Sequence, residues 1–419
     1  MRRKNKSTLI TGLVMCSMML SGCQLVESPN ALIEAPQQEK KQNIELSKKA
    51  AELLPSNSEL LTPVNSNKKQ SIFIADINND ANQEAFLLYR GLGENRKVHL
   101  LSLQETENDW REVSDFELNY LQLDYFDLHD LDNDGQIEIV IGLGGSDFES
   151  KKELMIYQWK EEGLTQVANK DYEVLDMADY DRDGKSEVLI VHGKRREFME
   201  AELLKFRSGQ LVTTSSVNMD AYAFHENAMS GKLSDGIQAL FIDGAVGAHS
   251  MVTEIIAFED GKLIKVDERA GGMLIKEYPL YSKDINDDGI IEVGGMYIPK
   301  GWEEEAFADI PFIEYYSTYS INGEEKKIEE RYTNRAHKFY ITIPVDWHGK
   351  VTIEKFENSI QIVSVSEDEL LFEVKWGNRE SIAPKGHVYK KTKDTIFYTE
   401  MKEKDAFPFN QFHLLEDEF

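Results

Sequence analysis

The stretch Asp130-Leu131-Asp132-Asn133-Asp134-Gly135-Gln136-Ile137-Glu138 decides how this chain of 419 residues is read. Oxygen-bearing side chains fall at its positions 1, 3, 5 and 9, and a glycine at position 6. The pattern Asp-x-(Asp/Asn)-x-Asp-(Gly/Ala)-x-x-Glu returns at residues 76–84, 179–187 and 284–292. A degenerate copy at 231–239 keeps only Asp235-Gly236. The five starts lie 54, 49, 52 and 53 residues apart. A period near 50 residues marks a repeat architecture in which each copy is one supersecondary unit.

The donors are hard oxygens, as Ca²⁺ requires; it takes roughly six to eight of them at about 2.3–2.6 Å. When the backbone curls round an ion, side chains at positions 1, 3 and 5 converge. The carbonyl of position 7 adds a ligand, and the glutamate at position 9 returns from the following strand. The expected ligands are Asp130, Asp132, Asp134, Glu138 and the Gln136 carbonyl. In the third loop they are Asp179, Asp181, Asp183, Glu187 and Lys185. The last loop offers Asp284, Asn286, Asp288, Glu292 and Ile290. The first offers Asp76, Asn78, Asp80, Glu84 and Asn82, with Ala81 where the others have glycine. Glycine suits the positive φ of such a curl. An EF-hand needs glutamate at position 12 and helical flanks. Position 12 here is Leu87, Ile141, Ile190 or Gly295, and the flanks read as strands. Mg²⁺ fits less well, because it prefers a smaller octahedral shell with retained waters. The sequence therefore predicts about four Ca²⁺ sites.

Short apolar runs precede and follow each loop, for example Tyr125-Phe126 before and Ile139-Val140-Ile141 after. A second hairpin follows, turning at Gly163, Gly209 or Gly261. The last of these belongs to the degenerate copy, which is thus a true repeat without its ligands. In the final repeat the hairpin is displaced to about 319–328. Four strands in about 50 residues make one propeller blade. The expected fold is all-β: a propeller of about five four-stranded blades over 68–330, closing into a ring. A solenoid is the alternative; it would need capping repeats. Residues 337–400 alternate with a period of two, and 331–419 reads as a small, separate, mainly antiparallel C-terminal domain.

The N-terminus reads as a targeting segment. Arg2, Arg3, Lys4 and Lys6 precede a short apolar run ending in Leu20-Ser21-Gly22-Cys23. This resembles the lipobox of bacterial lipoproteins. The resemblance implies a signal peptide over 1–22, cleavage before Cys23 and lipid on its sulfur. Residues 23–67 read as a tether with one short helix that stops before Pro55. The only other cysteine, Cys16, leaves with the signal, so no disulfide is expected. The net charge of −28 argues against nucleic acid and against electrostatic attraction to anionic lipid.

The acidic loops resemble the FG-GAP, or VCBS, repeat of integrin-α-type β-propellers and bacterial surface proteins, over about residues 70–330. The segments around Leu53-Leu54-Pro55 and from Ile343-Pro344 to Trp347 are similar to Firmicutes lipoproteins that carry such repeats. The resemblance implies structural Ca²⁺ in the blades and a Gram-positive source, without an activity. No nucleophile elbow, Walker loop, His-Glu-x-x-His or dinucleotide fingerprint is present. His249 reads as a loop histidine, His129 as a residue that orients the second cation loop, and Trp302, Trp347 and Trp376 as packing residues. The expected function is a lipid-anchored, extracytoplasmic, non-catalytic module that binds a surface protein or glycan. Two alternatives are a hydrolase or lyase acting on cell-envelope carbohydrate and a purely structural assembly factor.

Overall fold

Alternating apolar residues build strands, and strands with apolar residues on both faces must be covered on both sides. That condition organises the computed structural model. It describes residues 40–65, 68–93, 96–107, 109–145, 151–160 and 163–415. The expected signal segment, Cys23 and the first part of the tether lie outside the described residues. The expected short helix is α1 (Lys40–Leu53). Among the described residues no helix is long and apolar enough to cross a membrane.

Six antiparallel sheets of four or five strands follow. The first comprises β1 (Ser58–Leu60), β2 (Ile72–Ala75), β3 (Glu84–Gly91), β4 (Val98–Glu105) and β5 (Trp110–Leu118). The second comprises β6 (Gln122–His129), β7 (Glu138–Gly144), β8 (Lys152–Lys160) and β9 (Gly163–Tyr172). The third holds β10 (Val174–Ala178), β11 (Glu187–Lys194), β12 (Phe198–Arg207) and β13 (Gln210–Asn218). The fourth holds β14 (Phe224–Lys232), β15 (Gln238–Ala245), β16 (Met251–Glu259) and β17 (Lys262–Lys265). After the short helix α2 (Val266–Arg269), β18 (Leu274–Lys276) adds to that sheet beside β16. The fifth runs through β19 (Val293–Tyr297), β20 (Ile313–Tyr319), β21 (Glu325–Asn334) and β22 (Phe339–Ile343). The sixth contains β23 (Val351–Phe356), β24 (Ser359–Ser364), β25 (Leu370–Asn378), β26 (His387–Lys391) and β27 (Thr395–Thr399). The last strand, β28 (Phe412–Leu414), returns to pair with β22 of the fifth sheet.

The five repeats thus map onto five consecutive sheets, consistent with propeller blades. The loops at 130–138 and 179–187 join the first strand of their sheet to the second, the loop at 76–84 joins β2 to β3, and the loop at 284–292 leads into β19. The strands that follow the loops are buried on both faces: every residue of β7 is buried, as are the first six of β3. The outer strands β5, β9 and β13 are more exposed, β13 the most. The hairpin glycines recur because the turns at Ser208-Gly209 and Asp260-Gly261 need positive φ at both positions (50° and 76°; 49° and 80°).

Apolar clusters bind each sheet to the next. Phe73, Phe86 and Leu88 meet Phe126 and Ile141 between the first two sheets. Val140 and Ile156 meet Val188 and Ile190 between the second and third. Leu189 and Leu203 meet Leu240 and Ile256, and Phe241 and Ile255 meet Ile291 and Val293. The far face of the first sheet is covered differently. Ala85, Leu87, Tyr89 and Leu101 pack against Leu46 and Ala50 of α1. No apolar cluster among the described residues joins the first sheet to the fifth or sixth. At this face of the first sheet the covering is done by a helix, through Leu46 and Ala50.

The C-terminal region does not separate cleanly. The boundary expected at residue 331 falls inside β21, and β22 and β28 extend the fifth sheet. One cluster spans the fifth and sixth sheets, with Phe339 and Ile341 against Ile362, Phe372, Val374 and Trp376. Trp302 donates its indole N–H to the Ile353 carbonyl at 2.8 Å, tying the 300–308 segment to the sixth sheet.

Candidate cation loops

Each acidic loop makes one set of local contacts. The position-9 glutamate accepts from the N–H of position 2: Ile77 to Glu84 at 3.1 Å, Leu131 to Glu138 at 2.9 Å, Tyr180 to Glu187 at 2.9 Å and Ile285 to Glu292 at 3.0 Å. The position-1 aspartate accepts from the N–H of position 6: Ala81, Gly135 and Gly184 at 3.0 Å and Gly289 at 2.7 Å. The N–H of position 7 donates to the position-5 aspartate in all four: Asn82 to Asp80, Gln136 to Asp134, Lys185 to Asp183 and Ile290 to Asp288. The curl needs positive φ twice. Position 4 supplies it at Asn79 (58°), Asn133 (56°), Arg182 (62°) and Asp287 (60°). Position 6 supplies it at Ala81 (70°), Gly135 (90°), Gly184 (84°) and Gly289 (81°), so alanine adopts the same curl as glycine.

Neighbouring loops touch. The Asn79 amide donates to the Gly135 carbonyl, and Lys185 Nζ reaches the Asp132 carbonyl at 2.7 Å. Lys232 N–H donates to the Gly289 carbonyl at 2.9 Å. The degenerate copy keeps its turn for a different reason. Asp235 accepts from the Ile321 N–H at 2.8 Å, and Leu233, at a former ligand position, is buried in the core.

The loops differ in charge balance. Three clusters of candidate ligands have their atoms within 4.8 Å of one another: Asp130, Asp132 and Glu138; Asp179, Asp181, Asp183 and Glu187; and His192, Glu200 and Glu202. The loops at 76–84 and 284–292 do not converge in this way. Each has asparagine at position 3, and its amide donates to the position-5 aspartate (Asn78 to Asp80 at 3.0 Å, Asn286 to Asp288 at 3.1 Å). Burial, opposed by the Ile285 N–H and reinforced by Asp288 and Asp284, raises the Glu292 carboxyl to about 6.

The 130–138 loop fits a cation. Asp132 Oδ1, like Asp179 Oδ1 of the next loop, is buried with no hydrogen-bond partner among the described residues. Burial and then the charges of Asp134 and Asp130 push the Asp132 carboxyl up. Glu138 is raised too, by burial, against hydrogen bonds from Gln158 and the Leu131 N–H.

The 179–187 loop already holds a positive charge. Lys205 Nζ lies 2.5 Å from Asp181, 2.7 Å from Asp183 and 3.1 Å from Glu187. Burial pulls this ammonium's pKa down, but the three carboxylates outweigh burial and raise it. Its hydrogen bond is the first cause lowering Asp183. The third cluster was not foreseen from the sequence. His192 pairs across β11 and β12 with Glu200, and its Nε2 stands 3.6 Å from Glu202. The hairpin register that joins them is the only sequence signal, and it is read only once both strands are placed.

His249 is exposed and its ring stacks on Phe307 at 5.2 Å. Trp376 is buried in the core.

No family model and no curated protein matches the chain, so the likeness to FG-GAP and VCBS repeats rests on the loops themselves. Among solved structures the chain is similar to a rhamnogalacturonan lyase PL11 from Bacillus licheniformis, at 11% identity over 75% of this chain and 74% of that one, TM-score 0.30. It is similar to the exotype rhamnogalacturonan lyase YesX at 10% identity over 75% of both chains, TM-score 0.30. A hypothetical selenium-binding protein from Sulfolobus tokodaii is 8% identical over 49% of this chain, TM-score 0.30, and the match spans only 55% of that protein. These likenesses are distant and extend to a β-rich, multi-sheet fold.

Proposed function

We propose that this protein is a non-catalytic binding module on the outer side of the cell membrane, built as a propeller-type fan of blades braced at one rim by Ca²⁺. One observation carries the reading: the same set of loop contacts recurs in four sheets, with neighbouring loops in contact. Ion sites spread one to a blade brace a scaffold; a catalytic metal would be gathered in one cleft with a substrate. A rigid fan leaves its connecting loops free to meet a surface protein or glycan. Lipid on Cys23 would hold the module at the membrane, and its negative charge would keep it off anionic lipid.

Equilibrium dialysis of the full chain against Ca²⁺, paired with thermal melts in Ca²⁺ and in EGTA, tests the bracing. Ions that bind only the folded state must raise the melting temperature. Identical melts with no bound Ca²⁺ sink the reading. Anchoring is tested separately: Cys23→Ala should move the protein from the membrane fraction to the medium.

A further inference from the structure

We propose that Lys205 is the resident cation of the 179–187 loop, so that this loop takes no divalent ion although it carries a complete ligand set. The inference rests on the calcium reading for the other loops and corrects it for this one. An ammonium has three N–H donors. Lys205 presents them to three acceptors, one oxygen each of Asp181, Asp183 and Glu187, at 2.5, 2.7 and 3.1 Å. Those are three of the residues an ion would need. Glu187 is 1% exposed, Lys205 15% and Asp181 18%, so the ammonium is largely enclosed, with Asp183, 41% exposed, on the open side of the cluster.

The related sheets show what Lys205 replaces. In the first sheet Glu84 pairs across the strands with Gln104, whose amide donates to Glu84 Oε1 at 3.1 Å. In the second, Gln158 donates to Glu138 Oε1 at 3.0 Å. Lys205 does the same to Glu187 Oε1, on the strand position that follows the Val188–Leu204 pair. A neutral amide there supports the glutamate without neutralising the aspartates, even where it also reaches one, as Gln104 reaches Asp80 Oδ2 at 3.5 Å. A lysine there extends past the glutamate to the aspartates and neutralises them. A divalent ion entering this loop would have to break three charge-assisted hydrogen bonds and leave an ammonium beside it. The tethered charge also needs no free ion, so the third blade stays braced when Ca²⁺ is withdrawn.

The test counts Ca²⁺ bound per full-length chain by equilibrium dialysis. Lys205→Gln gives the third loop the surroundings of the second, and it should bind one ion more than the wild type. Lys205→Met, which removes the charge at similar length, should gain the same ion and serves if the glutamine variant does not fold. Lys205→Arg keeps the charge and should gain none. Asp181→Asn in the wild type should leave the count unchanged. The proposal is overturned if neither uncharged variant gains an ion, or if Asp181→Asn lowers the wild-type count by one. A wild type without any bound Ca²⁺ would defeat the calcium reading alone, since an ion gained by Lys205→Gln would still uphold the substitution.

Discussion

The loops at 130–138 and 179–187 have the same four carboxylates, the same glycine and the same three loop hydrogen bonds; each keeps a buried aspartate oxygen without a partner among the described residues and a raised position-9 glutamate, yet only the second has a lysine on its carboxylates. In one, the Asp132 carboxyl is pushed up by burial and its neighbours. In the other, Asp183 is held down by Lys205. The difference lies outside both loops, at Gln158 and Lys205 on the adjacent strand. A nine-residue pattern therefore fixes how the backbone curls, while the set of carboxylates that converge varies from loop to loop. On the proposal for Lys205, the residue facing the loop across the sheet decides whether its charge is met by a free ion or by the chain itself.

The largest break in that comparison comes from removing the tethered charge. In EGTA, Lys205→Met should cost about 3 kcal/mol, because it leaves Glu187 and Asp181 uncompensated in a partly buried site. The matched Gln158→Met should cost about 1 kcal/mol, one hydrogen bond to a glutamate. Urea unfolding of both variants measures the gap; equal losses would show that Lys205 is an ordinary surface contact. Next comes the ion itself. At a free Ca²⁺ concentration 100 times its Kd, a filled loop adds about 2.7 kcal/mol. Asp132→Asn should remove one loop's share of the Ca²⁺-dependent gain, and Asp181→Asn none.

Protonation sharpens the contrast further. Without ions Glu292, lifted to about 6, binds its proton more tightly folded than unfolded. Its contribution is fully present below its ordinary 4.5 and is lost as pH rises through about 6. The gain in melting temperature on adding Ca²⁺ should thus be smaller at pH 5 than at pH 7.5. Between the third and fourth sheets the positive charge is again covalent. His225 lies 3.2 Å from Glu173 and 3.9 Å from Glu254. Burial pulls it down, but the two glutamates prevail and raise it to about 9. Its stabilisation is full below its ordinary 6.5 and is lost as pH rises through about 9. Melts in EGTA should fall across that window, and His225→Gln should flatten the fall. The smallest effect belongs to the backbone. Ala81→Gly relieves a side chain at φ 70° and should stabilise by about 1 kcal/mol or less. Gly184→Ala should cost about as much, since its added methyl group meets nothing within 4 Å.

The loops were legible because their contacts are local: position 2 to 9, 6 to 1 and 7 to 5 close within nine residues. The period of about 50 carried the five sheets for the same reason, since each sheet is built from consecutive strands. Lys205 was not legible, because its place beside Glu187 depends on strand register. The His192 cluster was hidden in the same way. The cover on the first sheet was also missed. The helix was readable from its spacing before Pro55, but which apolar face it serves is a long-range fact. So is the return of Phe412–Leu414 to β22, across some 70 residues of chain. The signal segment and Cys23 lie outside the described residues, and their reading still rests on composition and motif.

The cap formed by α1 has a mechanical consequence. Any load carried by the segment before residue 40 enters the folded body through this helix, whose buried hold on the first sheet is Leu46 and Ala50. A helix resting on a sheet slides off by parting side chains, whereas extracting β3 means breaking ladders to β1, β2 and β4. Under tension the helix should therefore be the first part to yield, baring Ala85, Leu87 and Tyr89 while the sheets stay intact.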